Sequence, residues 1–147
     1  MEARKDFKEL LECFNEHEID YLIVGAFALA WHGHPRYTGD LDIYIDPSPT
    51  NAARVLAALV DFGFGSLGLA QTDFETPDRV VQLGVAPVRV DILTSISGVE
   101  WKDAWSASDL GTYDGIPVRY LGKQQYRANK LAMGRAKDIA DLESIEE

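Results

Sequence analysis

The sequence predicts an α+β fold in which a mixed sheet is flanked by helices. Three observations lead there. Short apolar runs rich in β-branched residues occur at residues 21–24, 41–45, 80–83 and 88–93. Between them lie segments whose apolar residues recur at helical spacing. Strands and helices do not alternate strictly, which favours a mixed sheet over an all-parallel one.

The elements follow in order. Phe7, Leu10, Leu11 and Phe14 recur among charges and place a helix over residues 2–18. Residues 21–24 form a buried strand ended by Gly25, and a helix follows to Trp31, stopped by Gly33, His34 and Pro35. Residues 41–45 alternate as a strand and close at Asp46, Pro47, Ser48 and Pro49. Residues 51–62 form an amphipathic helix with Pro49 and Thr50 at its start and Gly63 after its end. Residues 65–78 read as loop with one helical turn. Strands at 80–83 and 88–93 are joined by a turn over residues 84–87. A short helix covers 99–106, a hairpin over 112–118 turns at Asp114 and Gly115, and two helices at 123–134 and 136–146 break near Gly134.

The 147 residues, with 46% hydrophobic and 26% charged side chains, have the size and composition of one soluble domain spanning residues 1–147. No apolar run approaches the roughly 20 residues that span a bilayer, so no membrane partner is expected. The charged first ten residues lack a signal-peptide core, and Cys13 is the single cysteine. Both point to a reducing, cytoplasmic setting. The net charge of −10 opposes non-specific nucleic-acid binding, which draws its affinity from Lys and Arg on phosphates. A nucleotide substrate stays compatible with it, because acidic clusters hold metal ions and metals hold phosphates.

The chemistry concentrates in carboxylates. Asp40 and Asp42 are two residues apart on one strand, so both project from the same face while Leu41 and Ile43 turn to the core. Like charges so placed repel unless a cation lies between them, and carboxylate oxygens suit Mg²⁺ or Mn²⁺. Asp91 lies within the apolar strand 88–93, where an aspartate is costly unless paired or metal-bound. It either joins Asp40 and Asp42 in a triad able to hold two metals or pairs with Arg89 or another arginine. Gly25 and Ala26 form a small-residue turn where a strand feeds a helix, a place where backbone N–H groups approach a phosphate.

Taken together, residues 24–28 (Val-Gly-Ala-Phe-Ala) and 36–43 (Arg-Tyr-Thr-Gly-Asp-Leu-Asp-Ile) resemble the signature of the nucleotidyltransferase superfamily. The Arg-x-Thr-x-Asp-x-Asp form is similar to the branch containing nucleotidyltransferase toxins of bacterial toxin–antitoxin and abortive-infection systems. The likeness continues through residues 81–84, 90–94 and 129–138. It implies the polymerase-beta-like fold, an NTP substrate, Mg²⁺ or Mn²⁺ on Asp40, Asp42 and Asp91, and an antitoxin-like partner protein. It also implies nucleotide contacts from Gly25, Ala26, Arg36, Thr38 and Lys130. Arg36 could instead pair with Asp40 or Asp46, and Lys130 could be merely solvated. Arg135 and Lys137 read as surface partners of Asp138 and Asp141. Ala26 departs from the Gly or Ser usual at that position: it keeps a backbone N–H but offers no hydroxyl.

Two functions remain open on the sequence. One is an enzyme that transfers a nucleoside monophosphate from an NTP to a hydroxyl and releases pyrophosphate. The other is a non-catalytic module of the same fold that binds a nucleotide or a partner. A metal-dependent nuclease fits the carboxylates but not the Gly25–Ala26 turn. The histidines lack a metal-ligand pattern, the tryptophans lack an accompanying basic patch, and no serine is marked as a nucleophile.

Overall fold

The structure, a computed structural model, describes residues 2–34, 39–85 and 88–146. In chain order the elements are α1 (Glu2–Glu16), β1 (Tyr21–Val24), α2 (Gly25–Trp31), β2 (Asp40–Ile45), α3 (Pro49–Leu59), β3 (Val80–Val85), β4 (Val88–Leu93), α4 (Trp101–Ser106), β5 (Asp109–Tyr113), β6 (Ile116–Tyr120), α5 (Lys123–Met133) and α6 (Ala136–Glu146). The strands form one six-stranded sheet in the order β3-β4-β2-β1-β6-β5. β2 runs parallel to β4 and β1 parallel to β6, while the other neighbours are antiparallel. The expected α+β class, a mixed sheet flanked by helices, is therefore the observed one.

Register divides the sheet into two unlike faces. On one, Leu41, Ile43 and Ile45 of β2 lie with Tyr21 and Ile23 of β1 and Val90 and Ile92 of β4, all buried. Helix α1 covers this face with Phe7, Leu10, Leu11 and Phe14, the last edge-on to Tyr21 at 5.6 Å. Helix α3 packs beside α1, where the Cys13 thiol donates to the Ala58 carbonyl at 3.4 Å. On the other face, Tyr44 meets α4, edge-on to Trp101 at 5.1 Å, and its hydroxyl donates to the Val99 carbonyl. The aspartates of β2 share this second face.

Asn51 explains how the central strands stay aligned. It is buried at the start of α3 and uses both ends of its amide. Its oxygen accepts from the Asp20 N–H at 2.8 Å, and its nitrogen donates to the carbonyls of Asp20 (3.0 Å) and Asp46 (2.8 Å). The entry to β1, the exit from β2 and the first turn of α3 are thereby tied at one point. Such bonds leave no buried polar group unsatisfied at the chain crossings.

Three elements differ from the sequence reading. Helix α3 ends at Leu59 and passes into a wide π-type turn over Val60–Phe64, where Gly63 takes φ 112°. The loop that follows contains two 3₁₀ turns, Gly65–Leu67 and Gln71–Phe74, rather than one. The hairpin extends to Asp109 and Tyr120, longer than expected, although its turn is the expected Asp114–Gly115 pair with positive φ at both residues. Of the turn expected over 84–87, Ala86 and Pro87 lie outside the described residues.

Helices α5 and α6 are joined by a buried ionic cluster. The Lys130 ammonium, with a side chain 7% exposed, lies 3.3 Å from Asp138 and 3.5 Å from Asp141. Arg135 adds hydrogen bonds to Asp138 from its backbone and its guanidinium. These bonds, Arg135 foremost, hold the Asp138 carboxyl down at about 2, against an ordinary 3.8. A depressed carboxylate adds stability that is complete above its unfolded value and lost as pH falls through its folded one. Asp138→Asn is therefore expected to lose about 3–5 kcal/mol of unfolding free energy at neutral pH, the range for breaking a buried pair. In urea titrations the gap to the wild type should narrow by up to about 2 kcal/mol as pH falls from about 4 to 2; a gap constant over that window would place the effect elsewhere.

Candidate active site

Asp42 occupies the centre of the second sheet face. Register pairs it with Val24 on β1 and with Asp91 on β4, while Asp40 pairs with Arg89. Paired residues share a face, so Asp40, Asp42 and Asp91 all project to the same side. The Asp42 carboxyl is raised from 3.8 to about 6, first by burial and then by the charges of Asp91 and Asp40. Lys130 and Arg89 pull it part of the way back.

The chain makes room for this carboxylate at Gly25. Gly25 opens α2 with φ +67°, and a Cβ built there would overlap Asp42 Oδ2. The Gly25 turn, expected to let a phosphate approach, also admits the aspartate. Ala26 follows, nearly buried, and Val24 at the helix start provides no side-chain cap for the first N–H groups of α2. The first N–H groups of a helix are donors of the kind that can hold an anion.

A cleft of about 260 Å³ lies over these residues. One wall is Val24, Gly25, Ala26, Asp40 and Asp42; the other is Asn129, Lys130, Met133, Arg135 and Lys137 from α5 and the start of α6. Leu93, Ser95, Ile96 and Ser97 form the floor after β4, and Asn129 is fixed there by donating to the Ser97 carbonyl at 2.8 Å. A larger hollow of about 540 Å³ lies between β1 and the β5–β6 hairpin. Its lining, with Ile19, Leu110, Pro117 and Val118, is mostly apolar and holds none of Asp40, Asp42 and Asp91.

Asp91 takes a different place from its partners. It stands beside Asp42 but is not among the cleft-lining residues. Arg89, two residues earlier on the same face of β4, forks onto it with Nε and Nη2 at 3.2 and 3.1 Å. The same guanidinium reaches 3.9 Å from Asp40. Among the described residues no group of three His, Cys, Asp or Glu side chains is gathered so as to hold a metal ion. Asp40 and Asp42, same-face carboxylates open to one cleft, suit a divalent cation; Asp91 is already engaged by an arginine.

Of the other expected contacts, Lys130 lines the cleft but is held by Asp138 and Asp141. Arg36 and Thr38 lie outside the described residues. Arg135 and Lys137, read from sequence as surface partners, stand on the cleft wall, although Arg135 does pair with Asp138. A signal was present: from Gly115 to Lys137 there are six Lys or Arg and no acid, in a chain of net charge −10. His32, near the end of α2, bonds through Nε2 to the Leu121 carbonyl at 2.8 Å and serves packing rather than metal binding.

Gly25→Ala is expected to displace the Asp42 carboxylate, both by overlap and by the cost of positive φ for alanine, on the order of 1–2 kcal/mol. Denaturant unfolding should show at least that loss. An equally stable Gly25→Ala protein would mean that the turn and Asp42 are not in close contact.

No family model matches the chain, and no curated protein matches it. Among solved structures, a Thermotoga maritima protein described as a "putative nucleotidyltransferase" is similar, with a TM-score of 0.62 and 14% identity. The alignment covers 93% of this chain and 88% of that one. At that identity the shared property is the architecture, and the fold of this chain is the nucleotidyltransferase fold.

Proposed function

We propose that the protein is a metal-dependent nucleotidyltransferase that moves a nucleoside monophosphate from an NTP to a hydroxyl-bearing protein, RNA or small-molecule acceptor. The observation that carries this is one cleft lined by Asp40 and Asp42 together with Lys130, Arg135 and Lys137, beside the uncapped start of α2. One wall suits a cation and the other suits phosphate. A Mg²⁺ or Mn²⁺ ion held by Asp40 and Asp42 would neutralise the triphosphate and favour ionisation of the attacking hydroxyl.

The chain's own residues supply the rest. Lys137 and the α2 N–H groups orient the phosphates. Asp91, steadied by Arg89 and outside the cleft lining, stands next to Asp42, where a lone pair not taken by the arginine would orient the acceptor oxygen, whose proton passes to solvent. The acceptor oxygen bonds to the α-phosphorus as the bond to pyrophosphate breaks. Lys130 and Arg135 are already compensated by Asp138 and Asp141. The protein therefore offers little net positive charge for a triphosphate, which is why the reading requires a metal. NTP binding followed by calorimetry is expected to vanish in EDTA; equal binding with and without metal would refute it.

Asp42→Asn keeps the side-chain shape and loses the charge. Transfer of label from NTP to cellular protein, RNA or small molecules is expected to disappear in this variant. The metal-free melting temperature at pH 7 should stay level or rise, since a buried like-charge repulsion is removed. Retained transfer would place the cation elsewhere.

Ala26 favours a second reading, a nucleotide- or partner-binding module without catalysis, to which a cognate antitoxin-like protein would belong. Ala26 lines the cleft without a hydroxyl. A serine there could add one hydrogen bond to a charged oxygen, roughly 1.5–3 kcal/mol. Ala26→Ser is expected to tighten NTP binding about tenfold or more, and Ala26→Gly separates the hydroxyl from backbone freedom. Unchanged affinity in both would mean that the turn does not contact phosphate.

A further inference from the structure

Arg89 touches the carboxylate cluster from within the sheet. Its position opposite Asp40 across the β2–β4 pairing, two residues before Asp91, lets one guanidinium serve two aspartates. It binds Asp91 at two points, 3.2 and 3.1 Å, and lies 3.9 Å from Asp40. A planar fork satisfies a carboxylate in a way that a point charge cannot. The Asp91 side chain, 13% exposed, has thereby given both oxygens to the arginine, while the Arg89 side chain remains 37% exposed at the cluster's edge.

We propose that Arg89 is a built-in cation that limits this site to one divalent ion, by holding Asp91 out of the metal's reach. The proposal rests on the reading of the Asp40–Asp42 cleft as a metal site. A second ion enters only by displacing Arg89, so Arg89 is a positioning residue that sets metal stoichiometry.

The test counts bound Mn²⁺ by the paramagnetic resonance signal of the free ion, with wild type, Arg89→Gln and Arg89→Lys, using Mn²⁺ alone. Circular dichroism establishes that each variant is folded. Wild type is expected to bind one ion. Arg89→Gln, which frees Asp91, is expected to bind two, or to bind the second about tenfold more tightly than the wild type does. Arg89→Lys keeps the charge and is expected to stay at one. Two ions in the wild type would overturn the proposal while leaving the metal site standing, and this count decides even if Arg89→Gln fails to fold. A folded Arg89→Gln that stays at one ion with unchanged affinity would also overturn it. No Mn²⁺ on wild type or variants would remove the metal-site reading itself, and the proposal with it.

Discussion

Asp42 and Asp91 are neighbours because β2 and β4 run parallel in a register that pairs them, and the rest of the site depends on that pairing. A slip of one residue would turn the whole of β2 over. Leu41 and Ile43, now fully buried beneath α1, would face the cleft, and two aspartates would enter the core. The hydrophobic face therefore fixes where the charges go. Asn51 holds the same register from the chain ends, by binding the residues that precede β1 and follow β2. Gly25 completes the arrangement, since only a residue without a Cβ leaves space for the carboxylate that the register delivers.

The site is a set of like charges held together at a cost. Burial and two neighbouring carboxylates push the Asp42 carboxyl up to about 6, so its charged form is sustained by cations rather than by solvent. Those cations are held in different ways. Arg89 comes from the sheet itself and is tied to Asp91. Lys130 comes from α5, lies 5.4 Å from the centre of the Tyr126 ring, and is anchored by two acids of α6. Each cation is fixed in place, which preorganises the field over Asp42 instead of leaving it to mobile side chains.

Much of the fold was legible in the sequence because its signals are local. Residues 21–24, 41–45 and 88–93 are strands by β-branched content, and alternation alone put Asp40 and Asp42 on one face. The hairpin was under-read because Asp109, Gly111 and Pro117 are poor strand formers whose places are set by pairing with each other's strands. The turn after α3 depends on the backbone at Gly63, which apolar periodicity does not register. The fate of Asp91 was open between metal and arginine, because a partner two residues away on the same strand face is equally compatible with both. Arg135 and Lys137 are exposed, and Arg135 pairs with Asp138, as read; their place beside the cleft was not legible, because a helix pair gives no hint, by its own spacing, of which side meets a distant strand.

The two walls of the cleft are made far apart in the chain. The acidic wall is complete once β4 has been synthesised, whereas the cationic wall belongs to α5 and α6, which come last among the described elements. On a growing chain the sheet can form its aspartate face first, open to water and without its counter-wall. During that interval Asp42 lacks Lys130, one of the two cations that offset the repulsion of its neighbouring carboxylates. The last helices thus lower the cost of a charge cluster that was laid down before them.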